Sequence, residues 1–215
     1  LLRGRAGTAN NTYDSAIAIA TRNEDRQFLV DEFGVSATWS PTSAEVSSLQ
    51  EASWVHVAGP LVSTELARDL ATSRARVSID LSTNHDVPSL AGIDIAFASN
   101  GDARDPSAEA LARRILDAGA AEAVVTCGSA GSIAMTSATS AACDALPIDL
   151  IDTCGAGDSF IAAYLRERSI GASPSSALAA ATQSASMTCR HLGGFPQTTM
   201  TITDKVRARV RESLT

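Results

Sequence analysis

Short apolar runs alternate with longer stretches of helical periodicity from about residue 54 onward. Each apolar run has four or five residues, is rich in β-branched side chains and precedes a turn signal, the pattern of a buried strand. Four runs fit this description, at 54–58, 77–80, 93–97 and 123–126. Since helical stretches separate them, the pattern predicts a parallel sheet with helices on both faces.

Helix starts are predicted where a side chain can accept a hydrogen bond from a free N–H of the first turn. Ser63 marks one such start, and Asp followed by Pro marks another at 105–106. The helices are predicted to cover 63–71 and 105–118, and two more follow at 157–168 and 173–190.

The segment between the strand at 123–126 and the last two predicted helices has a different pattern. Small residues and short alternating runs at 132–135 and 141–146 predict an antiparallel hairpin at the sheet edge.

The opening residues also differ from the rest. Segments 14–20 and 26–30 are predicted strands joined by a polar turn, a hairpin attached to the main sheet as a small flap. We therefore expect residues 1–50 to form a β hairpin or lid portion and residues 51–215 to form the α/β core.

Composition and charge narrow the range of partners. The chain has 215 residues, 45% of them hydrophobic and 19% charged, which is ample for a packed core. Its formal net charge of −7 argues against a nucleic-acid partner. It contains no apolar run of roughly eighteen residues, so we expect no membrane span. It also shows no export signal, so we expect a cytoplasmic protein.

The cysteine and histidine residues give little evidence of a disulfide or a metal site. The four Cys residues form no C-x-x-C pair, and the three His residues stand apart from one another. Reduced thiols are therefore the expected state, and a zinc site is not expected.

The stretch 151–160 carries the chemical signal of the sequence. A predicted strand ends near Asp152, and Gly155, Ala156 and Gly157 lead directly into an amphipathic helix. The N–H groups of these three small residues can point at one anion beside the positive end of the helix dipole. The loop is therefore a candidate anion hole for a phosphoryl group in transfer.

Asp158 lies in the first turn of that helix. A carboxylate there can accept the proton of an attacking hydroxyl while the loop holds the phosphoryl group. A simpler interpretation is that the glycines make a tight turn and Asp158 caps the helix. No P-loop and no dinucleotide-binding G-x-G-x-x-G with its acidic partner occurs in the sequence.

Two loops of the sequence resemble motifs of a known protein family. The run D-T-C-G-A-G-D-S-F at 152–160 resembles the D-T-x-G-A-G-D-x-F signature of the PfkB (ribokinase-like) carbohydrate kinases. The run T-C-G-S-A-G at 126–131 resembles the T-x-G-x-x-G nucleotide loop of that family, and the Ala-rich helix from Ser175 resembles its adenine-flanking helix. The resemblance covers about 14–194 and implies a ribokinase-like three-layer α/β sandwich with a mainly parallel sheet and a small β flap.

The resemblance implies roles for individual residues. Asp158 would be the catalytic base, and Gly155, Ala156 and Gly157 would form the anion hole. The ATP site would be lined by Thr126, Gly128, Ser129, Gly131 and Ser99. A monovalent cation such as K⁺, which many members bind, would lie near Asp152, Cys154, Cys189 and Gly194.

Two features depart from the family pattern. The N-x-x-E motif that helps to organise Mg²⁺ is replaced by S-N-G-D at 99–102, so Asp102 is the candidate Mg²⁺ ligand and a solvated loop acid is the alternative. The Gly-Gly-Asn stretch and the Asp that hold the sugar have no counterpart. Because the sequence also begins without Met, we expect that a segment is missing from it.

The implied activity is ATP-dependent phosphorylation of a sugar or sugar derivative. Segments 79–82, 94–99 and 158–163 look most like the fructoselysine kinase branch, which suggests fructoselysine or another fructosamine as the acceptor. A nucleoside kinase and a non-catalytic nucleotide- or sugar-binding relative stay open as alternatives. Asp158 favours an active kinase, since a pure binder needs no base there. The opening hairpin could be a lid over the substrate or a homodimer contact.

Overall fold

The structure is a computed structural model. It describes the backbone of 15–20 and 26–32, and it describes residues 40–58, 66, 69–70, 72–83, 87, 89–101, 104, 107–196, 204 and 208.

The opening hairpin has two antiparallel strands, β1 (Ser15–Ala20) and β2 (Arg26–Glu32). Both predicted strands are confirmed, and their register shifts between Ile17 and Ala18. Of the described strands, these two pair only with each other in a separate two-stranded sheet, so the expected attachment to the main sheet is not seen. Only residues 21–25 separate the two strands, and so short a connection favours their pairing with each other as an antiparallel hairpin. Its use as a flap remains a prediction.

The sequence analysis did not predict the helix that follows, α1 (Ser43–Gln50). Thr42 caps it: its side chain accepts from the Glu45 N–H, and the Glu45 carboxylate accepts from the Thr42 N–H at 2.7 Å. The T-x-x-E spacing of this capping box was the available signal.

The main sheet has six strands in the spatial order of the chain. They are β3 (Trp54–Val57), β4 (Arg76–Asp80), β5 (Ile95–Ser99), β6 (Glu122–Thr126), β7 (Ser132–Thr136) and β8 (Ser140–Cys143). Strands β3 to β6 are parallel, and β7 and β8 join antiparallel at one edge. The mainly parallel sheet and its edge hairpin are therefore confirmed.

Strand β5 begins two residues later than predicted. The Asp94 carboxylate accepts a 2.7 Å hydrogen bond from the Val77 N–H, and Ile93 N–H donates to Leu90 O across a turn. Residues 93–94 are therefore held by these hydrogen bonds in the turn that precedes the strand. The sequence did not show this, because the apolar run continues through them into the strand.

Three further helices have bounds in the described chain: α2 (Ser107–Asp117), α3 (Ala156–Ser169) and α4 (Pro174–Thr188). All three were predicted within a few residues, and Ser173 caps α4 as expected. For the helix predicted at 63–71, Leu66, Asp69 and Leu70 are helical and the remaining residues lie outside the described set, as do 105–106. Within the described ranges, every helix is too short or too polar to cross a bilayer.

Apolar side chains cover both faces of the sheet. One face packs against Leu66, Leu70 and the inner side of α2. The other packs against α3 and α4, with the fully buried Tyr164 at its centre. The Tyr164 ring meets Phe97 edge-on at 5.6 Å between centroids, so α3 lies directly over β5.

A buried carboxylate ties the end of α3 to the sheet. Glu122, the first residue of β6, is 3% exposed, and its Oε2 accepts from the Arg168 guanidinium at 2.6 Å. Its other oxygen accepts from the Tyr164 hydroxyl, whose pKa is raised by burial and by the charge of Glu122. Arg76, at the start of β4, donates to the Arg168 carbonyl. The C-terminal end of α3 is therefore held at the amino edge of the sheet.

This contact makes a stability prediction. We expect Arg168→Met to lower the free energy of unfolding by about 3 kcal/mol, because it leaves the Glu122 carboxylate buried without a cation. Urea unfolding followed by circular dichroism measures the change. Arg113→Met is the matched control: its ion pair with Glu109 is exposed, so we expect a loss below about 0.5 kcal/mol. Equal losses in the two variants would contradict the role given to the buried pair.

Candidate active site

The parallel strands β3 to β6 end at one edge of the sheet, which we call the carboxyl edge. Open α/β sheets bind ligands outside this edge. Ser99 ends β5 and Thr126 ends β6, and the two are direct partners in the ladder. The structure therefore brings together two of the predicted nucleotide-site residues that are far apart in sequence.

The predicted nucleotide loop connects β6 to β7 through a short 3₁₀ turn, Gly128–Ala130. The Cys127 N–H donates to Gly131 O at 2.7 Å, which closes the loop. Gly131 has a φ of +94°, and a Cβ on it would lie 2.2 Å from Cys143 O. Only glycine fits there, whereas Gly128 and Ser129 are exposed and accessible to a ligand.

The glycine loop before α3 is shaped by close backbone contact. Gly155 is the N-cap of α3 with a φ of +77°, and a Cβ on it would lie 2.5 Å from Gly194 Cα. Two turns that are distant in sequence therefore touch here through glycine backbone alone.

The N–H groups of the loop differ in their availability. Ala156 N–H donates to Thr153 O at 3.2 Å, and the first helical bond of α3 runs from Ser159 N–H to Gly155 O. The N–H of Gly157 therefore precedes the helical ladder, as the first N–H groups of any helix do. A Cβ on Gly157 would meet no atom within 4 Å, so the space beside it is open. A compact anion can approach the backbone at that point.

Asp158 lies beside this open space, in the first turn of α3. Its side chain is exposed and makes no hydrogen bond or ion pair with any residue in the described part of the chain. Because Arg168 holds the other end of α3 at the amino edge, Asp158 lies at the carboxyl edge with Ser99 and Thr126. Its carboxylate is available to accept a proton from a ligand.

The residues predicted to surround a monovalent cation lie close together in the fold. Asp152 Oδ1 accepts from Cys154 N–H at 2.9 Å, and Oδ2 accepts from Gly193 N–H at 2.8 Å. The carbonyl of Cys189 accepts from Asp152 N–H, and Gly194 packs on Gly155. Asp152 thus joins the two turns, and its role as a cation ligand remains a prediction.

The candidate Mg²⁺ ligand, Asp102, lies outside the described residues. Across the ranges that are described, no group of three or more His, Cys, Asp or Glu side chains is arranged to hold a metal ion.

Sequence analysis missed two residues at the carboxyl edge, His56 and Asp80. The His56 side chain keeps an exposed surface, but partial loss of hydration lowers its pKa, and the charges of Asp80 and Asp158 oppose that shift. Burial also raises the pKa of Asp80; Asp158 adds to this shift, and a backbone bond from Ser82 and the charge of His56 oppose it. The three groups therefore share one electrostatic environment. Their signal in the sequence was a polar residue at the end of an apolar run.

Comparison with known proteins gives the family of the chain. Residues 8–199 match the model of the pfkB family carbohydrate kinases. The fructoselysine 6-kinase of Escherichia coli (strain K12) is 29% identical over 181 residues, which are 82% of this chain and 69% of that protein.

Two solved structures share the fold. A probable sugar kinase from Rhizobium etli superposes with a TM-score of 0.70 at 21% identity, over 93% of this chain and 66% of the other. The Arabidopsis thaliana ribokinase solved with ribose and ATP has a TM-score of 0.70 at 17% identity, over 95% and 70%. The chain thus spans about two thirds of the length of these relatives. With its ribokinase-like fold and the family match along most of its length, the chain belongs to the pfkB family carbohydrate kinases.

Proposed function

We propose that the protein transfers the γ-phosphoryl group of ATP to a hydroxyl group of a sugar or sugar derivative. The observation that carries the proposal is the position of Asp158, an unpaired carboxylate among the described residues, directly beside the open space over Gly157. A base and a phosphoryl cradle on adjacent residues meet the main needs of this reaction.

The reaction follows from the proposed roles. Asp158 takes the proton of the acceptor hydroxyl as its oxygen forms a bond to the γ-phosphorus. The bond from that phosphorus to the bridging oxygen breaks, and ADP keeps the electron pair. Backbone N–H groups of the glycine loop hold the charge on the phosphoryl oxygens without net positive charge in the chain.

Nucleotide binding is proposed for the loop between β6 and β7. Thr126, Gly128, Ser129 and Gly131 would line the ATP site, with Ser99 from the neighbouring strand. The ribokinase solved with ATP supports this use of the fold. Mg²⁺ would neutralise the charge on the β- and γ-phosphates when bound, with Asp102 as its candidate ligand. A monovalent cation would lie beside Asp152 and Cys154.

We propose a fructosamine, such as fructoselysine, as the acceptor. The support is the 29% identity to a fructoselysine 6-kinase over most of this chain. The test is ADP release with Mg-ATP, using protein from the complete gene and a panel of fructoselysine, ribose, fructose, a keto-sugar phosphate and two nucleosides. Turnover of a nucleoside alone would contradict the sugar assignment.

The base is tested by Asp158→Asn. We expect turnover to fall by about 10²-fold or more with ATP affinity retained, because the amide cannot take the proton. Initial rates and nucleotide titration measure the two quantities. Asp117→Asn, an exposed carboxylate at the end of α2, is the matched control and should leave both unchanged. Equal turnover in Asp158→Asn and the control would refute the assignment.

Variants of Gly155 and Gly157 distinguish an effect on folding from an effect on the space that a ligand would occupy. We expect Gly155→Ala to cost about 1 kcal/mol or more of stability, since its φ is +77° and its Cβ would strike Gly194. Gly157→Ala should not lower the melting temperature, because its Cβ would meet no atom within 4 Å outside its chain neighbours and the backbone of its own helix. It should nevertheless lower turnover by obstructing the phosphoryl group. Full activity in Gly157→Ala would argue against an anion hole at that residue.

A further inference from the structure

His56 and Asp80 lie on the same face of the sheet as the helix that carries Asp158. His56 and Ser78 are cross-strand partners, and their side chains are in contact at 2.9 Å. Asp80 comes two residues after Ser78, so it shares that face. Phe97 pairs with Asp80 and contacts both the His56 ring and Tyr164 of α3. This is therefore the face that α3 covers.

Because of the order of the strands, the carboxyl edge has two parts, one on each side of Asp158. The predicted nucleotide loop follows β6, whereas His56 and Asp80 belong to β3 and β4 at the opposite end of the sheet. In-line phosphoryl transfer requires the nucleotide and the acceptor on opposite sides of the transferred group. If the nucleotide lies over β6 and β7, the acceptor lies over β3 and β4.

The imidazole of His56 is held in one orientation. Its Nδ1 contacts Ser78 Oγ, which also accepts from the Trp54 indole N–H at 2.9 Å. Arg76 lies 4.1 Å above the Trp54 ring and fixes that side chain in turn. With Nδ1 engaged, Nε2 is the ring nitrogen left for a ligand.

Asp80 is a partly enclosed carboxylate that has no cationic partner among the described residues. Its Oδ1 accepts from the Ser82 N–H at 2.7 Å, and its Oδ2 makes no hydrogen bond to any described residue. No Lys or Arg of the described chain forms an ion pair with it. The charges that act on it are those of His56 and of another carboxylate, Asp158. A cation carried by a ligand would supply the missing partner.

We propose that His56 and Asp80 bind the acceptor, and that Asp80 selects an acceptor with a protonated amine over one with an anionic group. The carboxylates Asp80 and Asp158 both act electrostatically on His56, so their negative charge attracts an ammonium group on this side of the site and repels a phosphate. His56 supplies a hydrogen bond that does not depend on the charge of the acceptor. The inference rests on the kinase function proposed above and names its substrate class.

Three acceptors that differ at one carbon test the charge selection: 1-amino-1-deoxyfructose, fructose and fructose 1-phosphate. With Asp80→Asn, we expect the KM for the amine to rise about tenfold or more, the size of a charge-assisted hydrogen bond. The KM for fructose should change little, and the KM for the phosphate should fall. The KM for ATP should stay within about threefold, because the proposed nucleotide loop follows β6 at the other end of the parallel strands. His56→Gln should raise the KM for all three acceptors alike.

Two controls keep a folding defect from imitating this result. Asp117→Asn should leave every KM unchanged, because it removes a carboxylate at the amino edge of the sheet. Asp80→Asn should not lower the melting temperature, since burial disfavours the charged carboxylate that it replaces. A uniform change in KM across the acceptors, or none, would overturn the role of Asp80.

Calorimetric titration of the amine without ATP separates this inference from the kinase proposal. Binding that weakens in Asp80→Asn supports the acceptor site, even if no acceptor is phosphorylated and the kinase proposal fails. Phosphorylation of all three acceptors with amine binding unaffected by Asp80→Asn would retain the kinase and reject the selection. Failure of the wild-type protein both to bind and to phosphorylate any acceptor would reject the two together.

Discussion

The buried contact of Glu122 with Arg168 and Tyr164 determines where helix α3 points. A carboxylate that is 3% exposed at the amino edge of the sheet requires a cation, and α3 supplies it from its last turn. With that end fixed, the first turn of α3 must lie at the carboxyl edge, beside the ends of the parallel strands. The position of Asp158 is therefore set by an ion pair at the opposite end of its own helix.

Under the proposed function, backbone geometry gives the site its affinity for an anion in a chain of net charge −7. Gly155 and Gly194 approach so closely that a single Cβ would separate the two turns. Asp152 holds the same turns together through both carboxylate oxygens. Such a loop offers N–H groups and a helix dipole rather than positive side chains, so it can bind a phosphoryl group locally while the rest of the surface repels polyanions.

The proposed site is asymmetric in charge and in chemistry. The loop after β6 is rich in glycine and uncharged, as backbone recognition of a nucleotide requires. The opposite side carries His56 and Asp80, which share an electrostatic environment with Asp158. Under the proposed function, one side of the sheet supplies the phosphoryl group and the other selects the molecule that receives it.

The sequence by itself determined the strand-helix alternation, the edge hairpin and the D-T-C-G-A-G-D-S-F loop, because periodicity, caps and small residues act over a few neighbouring positions. It missed the capping box that starts α1 and placed β5 two residues too early. Only the tertiary structure decided that Ser99 meets Thr126, that Gly194 touches Gly155, and that the charge of Asp158 acts on His56 and Asp80. These relations join segments from 27 to 102 residues apart, and they depend on strand order and helix direction, which no local pattern encodes.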